Sequence, residues 1–147
     1  MSDGDSSVLF HVPARGLGRR DLREFARRLK EEVAKGRNFC GIITSDAEMR
    51  RLNKQFRKKD YTTDVLSFPA SPMSESIGDL AISWDRAKEQ AIEHGHTPAD
   101  EVRILMLHGV LHLTGLDHER DGGKMARAET RWRKRLNLPS GLIERVR

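Results

Sequence analysis

Four short apolar runs alternate with stretches whose apolar residues recur at helical spacing. This predicts an α/β (α+β) single domain: a mixed sheet of about four strands packed with about five helices. The elements follow the order strand, helix, strand, helix, strand, strand, then helices. That order begins with a crossover, expected to be right-handed, and later brings two strands side by side. The 147 residues hold no internal repeat and no linker long enough to divide two domains, and this length supports one domain with a real core. The domain is assigned to 1–147, with 1–7 a polar, acidic, flexible tail.

Residues 8–12 read as the first strand, and 13–20 as a loop with two glycines and three arginines. A helix beginning at Asp21 places Leu22, Phe25, Ala26, Leu29 and Val33 on one face, and Gly36 ends it. Residues 39–43 form a second, buried strand. Ser45 or Thr44 caps the next helix, with Glu48 as the acid of a capping box if Ser45 is the cap. Met49, Leu52 and Phe56 form its apolar stripe, opposite Arg50, Arg51 and Lys54. Residues 63–68 are a third strand stopped by Pro69, 70–77 a flexible loop, and 79–83 a fourth strand. The third and fourth pair antiparallel. Residues 84–93 form a helix ending at Gly95.

Thr97-Pro98-Ala99-Asp100 starts the following helix, with Thr97 as N-cap and Pro98 at N1. Val102, Ile104, Leu105, Met106, Leu107, Val110, Leu111 and Leu113 make it apolar nearly all round, so it is buried. His108 and His112 lie on it four residues apart, on one face and one turn from each other. Burying two histidines without partners is costly, so a metal or well-placed acceptors must account for them. His118 cannot join them on a continuous helix, which would carry it roughly 15 Å along the axis and rotate it by roughly 80°. Gly115 is the expected break, taking the left-handed conformation at C′, with Leu116 packing back at C″. His108, His112 and His118 are thereby the candidate ligands of one Zn²⁺ per chain. The metal site sits on a helix of the C-terminal half and the turn after it. Three histidines leave a fourth position open, the pattern of a catalytic zinc. Gly109 stands where a zinc protease of the H-E-x-x-H type carries its general base, and it supplies close approach to another element or room for a substrate. Gly122-Gly123 is a hinge before a last helix with Met125, Ala128, Trp132 and Leu136 inward and Arg127, Arg131, Arg133, Lys134 and Arg135 outward.

Charged residues make up 33% of the chain and hydrophobic ones 37%, which gives a heavily charged surface. No apolar run approaches the length of a membrane span, and the polar N-terminus is not a signal peptide. Cys40 is the one cysteine, so no internal disulfide forms, and its place in an apolar run makes it a buried structural thiol. These features place the protein in the cytoplasm and off the membrane. The net charge of +5 and pI of about 9.7 favour a polyanionic partner.

The run His108-Gly109-Val110-Leu111-His112-Leu113-Thr114-Gly115-Leu116-Asp117-His118 resembles the signature of the YbeY family, bacterial endoribonucleases of ribosomal RNA maturation. Two further blocks agree. One runs Asn53-Lys54-Gln55-Phe56-Arg57-Lys58-Lys59-Asp60-Tyr61-Thr62-Thr63-Asp64-Val65-Leu66-Ser67-Phe68-Pro69, the other Gly78-Asp79-Leu80-Ala81-Ile82-Ser83. The resemblance covers roughly residues 8–138. It departs at Leu116, where the family commonly has tyrosine. It implies a zinc-dependent, single-strand-specific endoribonuclease that matures the 3′ end of the small-subunit RNA and serves ribosome quality control. Implied partners are ribosomal RNA and the small subunit, together with ribosomal proteins and a GTPase assembly factor.

A zinc held by three histidines brings the pKa of its water near neutrality and needs no side-chain base. That suits a phosphodiester, an ester or an amide. Arginine pairs bidentately with phosphate, and Arg57 is the catalytic candidate, since the resemblance implies that this arginine is essential to RNA cleavage. Without the resemblance it reads as a solvated cation at a helix end. Asp64 or Asp79 holds a ligand histidine by its second ring N–H, or else serves a turn or a buried cap. Asp117 shapes the turn before His118. His94 and His96 belong to the loop before the capped helix, and His11 is structural. Two other readings remain: a ribosome-assembly binding factor with a structural zinc, and a metal-dependent hydrolase of another substrate such as a peptide, which Gly109 disfavours.

Overall fold

The computed structural model describes residues 7–116 and 121–139. Four strands and five helices follow one another as β1 (Ser7–Phe10), α1 (Arg19–Arg28), β2 (Asn38–Thr44), α2 (Asp46–Arg57), β3 (Val65–Pro69), β4 (Ser76–Ser83), α3 (Trp84–His94), α4 (Pro98–Leu113) and α5 (Lys124–Arg135). They form one mixed sheet in the order β1-β2-β4-β3. β1 pairs parallel with β2, and β2 with β4. β3 pairs antiparallel with β4, with Leu66 opposite Ala81.

Alternation along the strands divides the side chains between two faces. Val8, Phe39, Ile43, Leu80 and Ile82 enter the main core with α1, α3, α4 and α5. The opposite face carries a smaller cluster of Met49, Leu66 and Ala81, over which α2 lies with Leu52. Among the described residues this face is open beyond α2: Leu9 is 47% exposed, and Cys40 on β2 is half-buried rather than enclosed. Burial, and then the charge of Asp79, push the Cys40 thiol up, which keeps it protonated and unreactive.

Several boundaries differ from the sequence reading. α1 starts at Arg19 after Gly18 and continues into a wider π turn, Leu29–Val33. β4 begins at Ser76, so the loop before it is shorter than 70–77. Phe56 does not face inward. It is 58% exposed and meets Phe68 edge-on at 5.5 Å. The buried residue at that end of α2 is Asn53, whose Nδ2 donates to the Tyr61 carbonyl at 2.9 Å. Ser45 caps α2 by accepting the Glu48 N–H, as the box requires. The Glu48 carboxylate does not reach back to the cap. It accepts the Thr44 hydroxyl and pairs with His11 and Arg51. The Thr44 and His11 hydrogen bonds hold its carboxyl below the usual range.

α4 is the central element. Thr97 caps it, and from Ile104 to Leu111 every residue is buried. Gly109 lets it come close to the sheet: a Cβ there would lie 2.6 Å from Leu80 Cδ2. The glycine therefore serves packing against β4, and its carbonyl accepts the Ser67 hydroxyl.

Candidate active site

α4 closes with the predicted glycine stop. Gly115 has φ of 104°, a conformation an L side chain rarely adopts. Its N–H donates to the His112 carbonyl and the Leu116 N–H to the Leu111 carbonyl, the pair of bonds that defines a Schellman motif. The turn does more than end the helix. It brings the Leu116 carbonyl to 3.1 Å from His112 Nδ1. A carbonyl can only accept, so Nδ1 carries the proton and the lone pair of the neutral ring lies at Nε2.

His108 is 6% exposed, and its Nδ1 lies 2.8 Å from Glu129 Oε2. Glu129 is 1% exposed and comes from α5. For His108 and His112 the partner is therefore neither Asp64 nor Asp79. Asp64 instead accepts the Val65 N–H and the Gln90 amide, and Asp79 is exposed on the open face of the sheet, beside Cys40. The sequence reading missed Glu129. Its one signal is phase: it follows Met125 by four residues and Ala128 by one, on the inward side of α5.

The two rings stand 4.8 Å apart, centroid to centroid, at 77°. One Nδ1 meets a carboxylate and the other a backbone carbonyl, the arrangement that orients metal-ligating histidines and fixes their tautomer. The donor set therefore fits a divalent metal with imidazole ligands. Among the described residues, no group of three His, Cys, Asp or Glu side chains converges to hold an ion. His118, the third expected ligand, and Asp117 lie outside the described residues.

Arg57 shares this site. It is the last residue of α2, where Lys58 turns left-handed with φ of 60° and sends the chain back toward β3. One guanidinium nitrogen donates to the Ser67 carbonyl at 2.6 Å, which ties the side chain to the strand edge. Arg57, His108 and His112 line one cavity of about 670 Å³, together with Asn53, Lys59, Tyr61, Asp64, Ser67 and Leu116. Asp64 is the one acid among these described lining residues, and both its oxygens are engaged. The remaining histidines lie elsewhere. His11 pairs with Glu48, His94 ends α3, and His96 Nε2 pairs with the buried Glu101 at 2.7 Å.

Cations also gather on α5, where Arg127, Arg131, Lys134 and Arg135 line a wider cavity of about 1100 Å³. Among the described residues no helix is long and apolar enough to cross a membrane.

The family model for Endoribonuclease YbeY matches residues 19–137. A protein of Solibacter usitatus named Endoribonuclease YbeY is 60% identical over 141 residues, which span 96% of this chain and 95% of that protein. One of the same name from Koribacter versatilis is 49% identical over 131 residues, 89% of this chain and 86% of that one. The solution structure of TM1509 from Thermotoga maritima aligns with a TM-score of 0.60 at 29% identity, covering 86% of this chain and 85% of that one.

Proposed function

The chain belongs to the YbeY endoribonuclease family, and from that premise we propose that it is a zinc-dependent, single-strand-specific endoribonuclease of ribosomal RNA maturation. The observation that carries this is the shared cavity, lined at once by Arg57 and by two oriented imidazoles. His108, His112 and His118 would hold the metal. A zinc held there would supply a polarised water with a pKa near neutrality.

The chain's own residues supply the rest. Glu129 and the Leu116 carbonyl keep the proton of each ring on Nδ1 and so present Nε2. Arg57, held at the Ser67 carbonyl, offers a planar set of donors to a phosphate of the RNA. A donor fixed before reaction stabilises developing charge without the cost of reorganising. Lys59 adds a second cation to the wall. The one acid of the described wall, Asp64, accepts the Val65 N–H and the Gln90 amide. Gly109 disfavours a peptide hydrolase of the H-E-x-x-H type, which carries a glutamate at that position.

The substrate in this proposal is the 3′ end of the small-subunit RNA. The basic face of α5 adds non-specific attraction for the RNA backbone. Ribosomal proteins and a GTPase assembly factor are the further partners, and the cytoplasm is the place of work. The test is cleavage of a single-stranded RNA and of its duplex by the purified protein, with zinc and after chelation. Zinc-dependent cleavage of the single strand alone is expected. Zinc binding without cleavage would favour an assembly factor with a structural metal.

A further inference from the structure

Among the described residues five large apolar or aromatic side chains are strongly exposed: Leu9, Phe56, Tyr61, Met73 and Ile92. Only Tyr61 lines the cavity that holds Arg57, His108 and His112. It is the one tyrosine of the chain, and it is 53% exposed. Its backbone is nevertheless fixed. The buried Asn53 donates to the Tyr61 carbonyl at 2.9 Å, and the next residue, Thr62, bonds Asp46 through its hydroxyl. An aromatic ring is thus mounted on a firm stem and left open to solvent beside two cations of the wall, Arg57 and Lys59. Burial in the core does not explain its place.

We propose that Tyr61 is a base-stacking residue, holding one nucleobase close to the phosphate that Arg57 contacts. This rests on the reading of the cavity as the RNA cleavage site. A single-stranded base has an open π face and stacks on an aromatic side chain whatever its sequence. A base in an A-form helix is already stacked and paired, and presents no such face. Tyr61 therefore supplies part of the discrimination between single strand and duplex, while Arg57 and Lys59 take the backbone on either side.

The experiment compares wild type, Tyr61→Ala and Tyr61→Phe on a short unstructured RNA, and on a series in which each nucleotide in turn is made abasic. Loss of one stacked base corresponds to a factor of about 5–150 in affinity. Tyr61→Ala should raise KM by such a factor, with the loss in KM rather than in kcat, and Tyr61→Phe should recover most of it. At one position near the cleaved bond, an abasic substitution should cost wild type a similar factor and cost Tyr61→Ala nothing further. Abasic penalties equal in both proteins at every position would overturn the proposal, as would an unchanged KM for Tyr61→Ala. His112→Ala is the control for the reading beneath it. If that variant cleaves like wild type, the cavity is not the cleavage site and both fall. If it is inactive while Tyr61→Ala is normal, only the stacking role is lost.

Discussion

At the scale of single residues, the site depends on who holds each imidazole. His108 and His112 are legible from spacing alone, because four residues on a helix means one face. Glu129 is not. It lies 21 residues from His108, on an arginine-rich helix where a glutamate reads as a surface ion-pair partner, and only the docking of α5 against α4 buries it. Removing such a partner typically weakens metal affinity by about 10–100-fold. Glu129→Gln should do the same in a chelator competition while helical content is retained, and unchanged zinc affinity would show that the carboxylate serves packing alone. The resemblance makes Arg57 a candidate, but its bond to the Ser67 carbonyl is not legible in the sequence, since it depends on β3 lying beside the end of α2. Arg57→Ala should slow single-turnover cleavage by about 10²–10³-fold. Arg57→Lys should be impaired as well, because an ammonium keeps the charge and loses the planar fork. Wild-type rates for Arg57→Ala once RNA is bound would reduce it to an anchor.

At the scale of elements, caps and stops were the readable part. Ser45, Thr97, Gly95 and Gly115 all act where local chemistry placed them. What local chemistry could not give was the surroundings of α2. Because the helix covers only part of the open sheet face, Phe56 at its far end has no core to enter, and Asn53 is buried instead by the returning segment at Tyr61. Glu48 ties the start of this helix to Thr44 and His11. Its folded pKa is lowered from an ordinary value of 4.5. The stabilisation is therefore complete above that value and fades as pH falls through the lower folded one. Glu48→Ala should melt below wild type at pH 7, with the gap narrowing in acid below 4.5. A gap independent of pH would assign the loss to packing. On α4, Gly109→Ala offers about 1 kcal/mol of helix propensity. It also drives a methyl against the fully buried Leu80, and overpacking costs typically about 1–3 kcal/mol. No net gain in melting temperature is expected, and a clearly stabilised variant would contradict the close contact.

At the scale of the whole molecule, the domain count, the mixed four-stranded sheet and the antiparallel pairing of β3 with β4 follow from element order and loop length. The insertion of β4 between β2 and β3 does not, because it is a non-local pairing that no short-range pattern encodes. That insertion matters for function. It sets β3 at the sheet edge, where Ser67 can reach both Arg57 and the carbonyl of Gly109 on α4, and so joins Arg57 to the histidine helix. We propose that one zinc is held by His108, His112 and His118 and that single-stranded RNA is cleaved beside it. The most direct measurement is the zinc content of purified wild type and His118→Ala, taken with their cleavage of the same unstructured RNA. One zinc per wild-type chain is expected, with metal and cleavage lost together in the variant. A His118→Ala protein that keeps one zinc and the wild-type cleavage rate would contradict the claim.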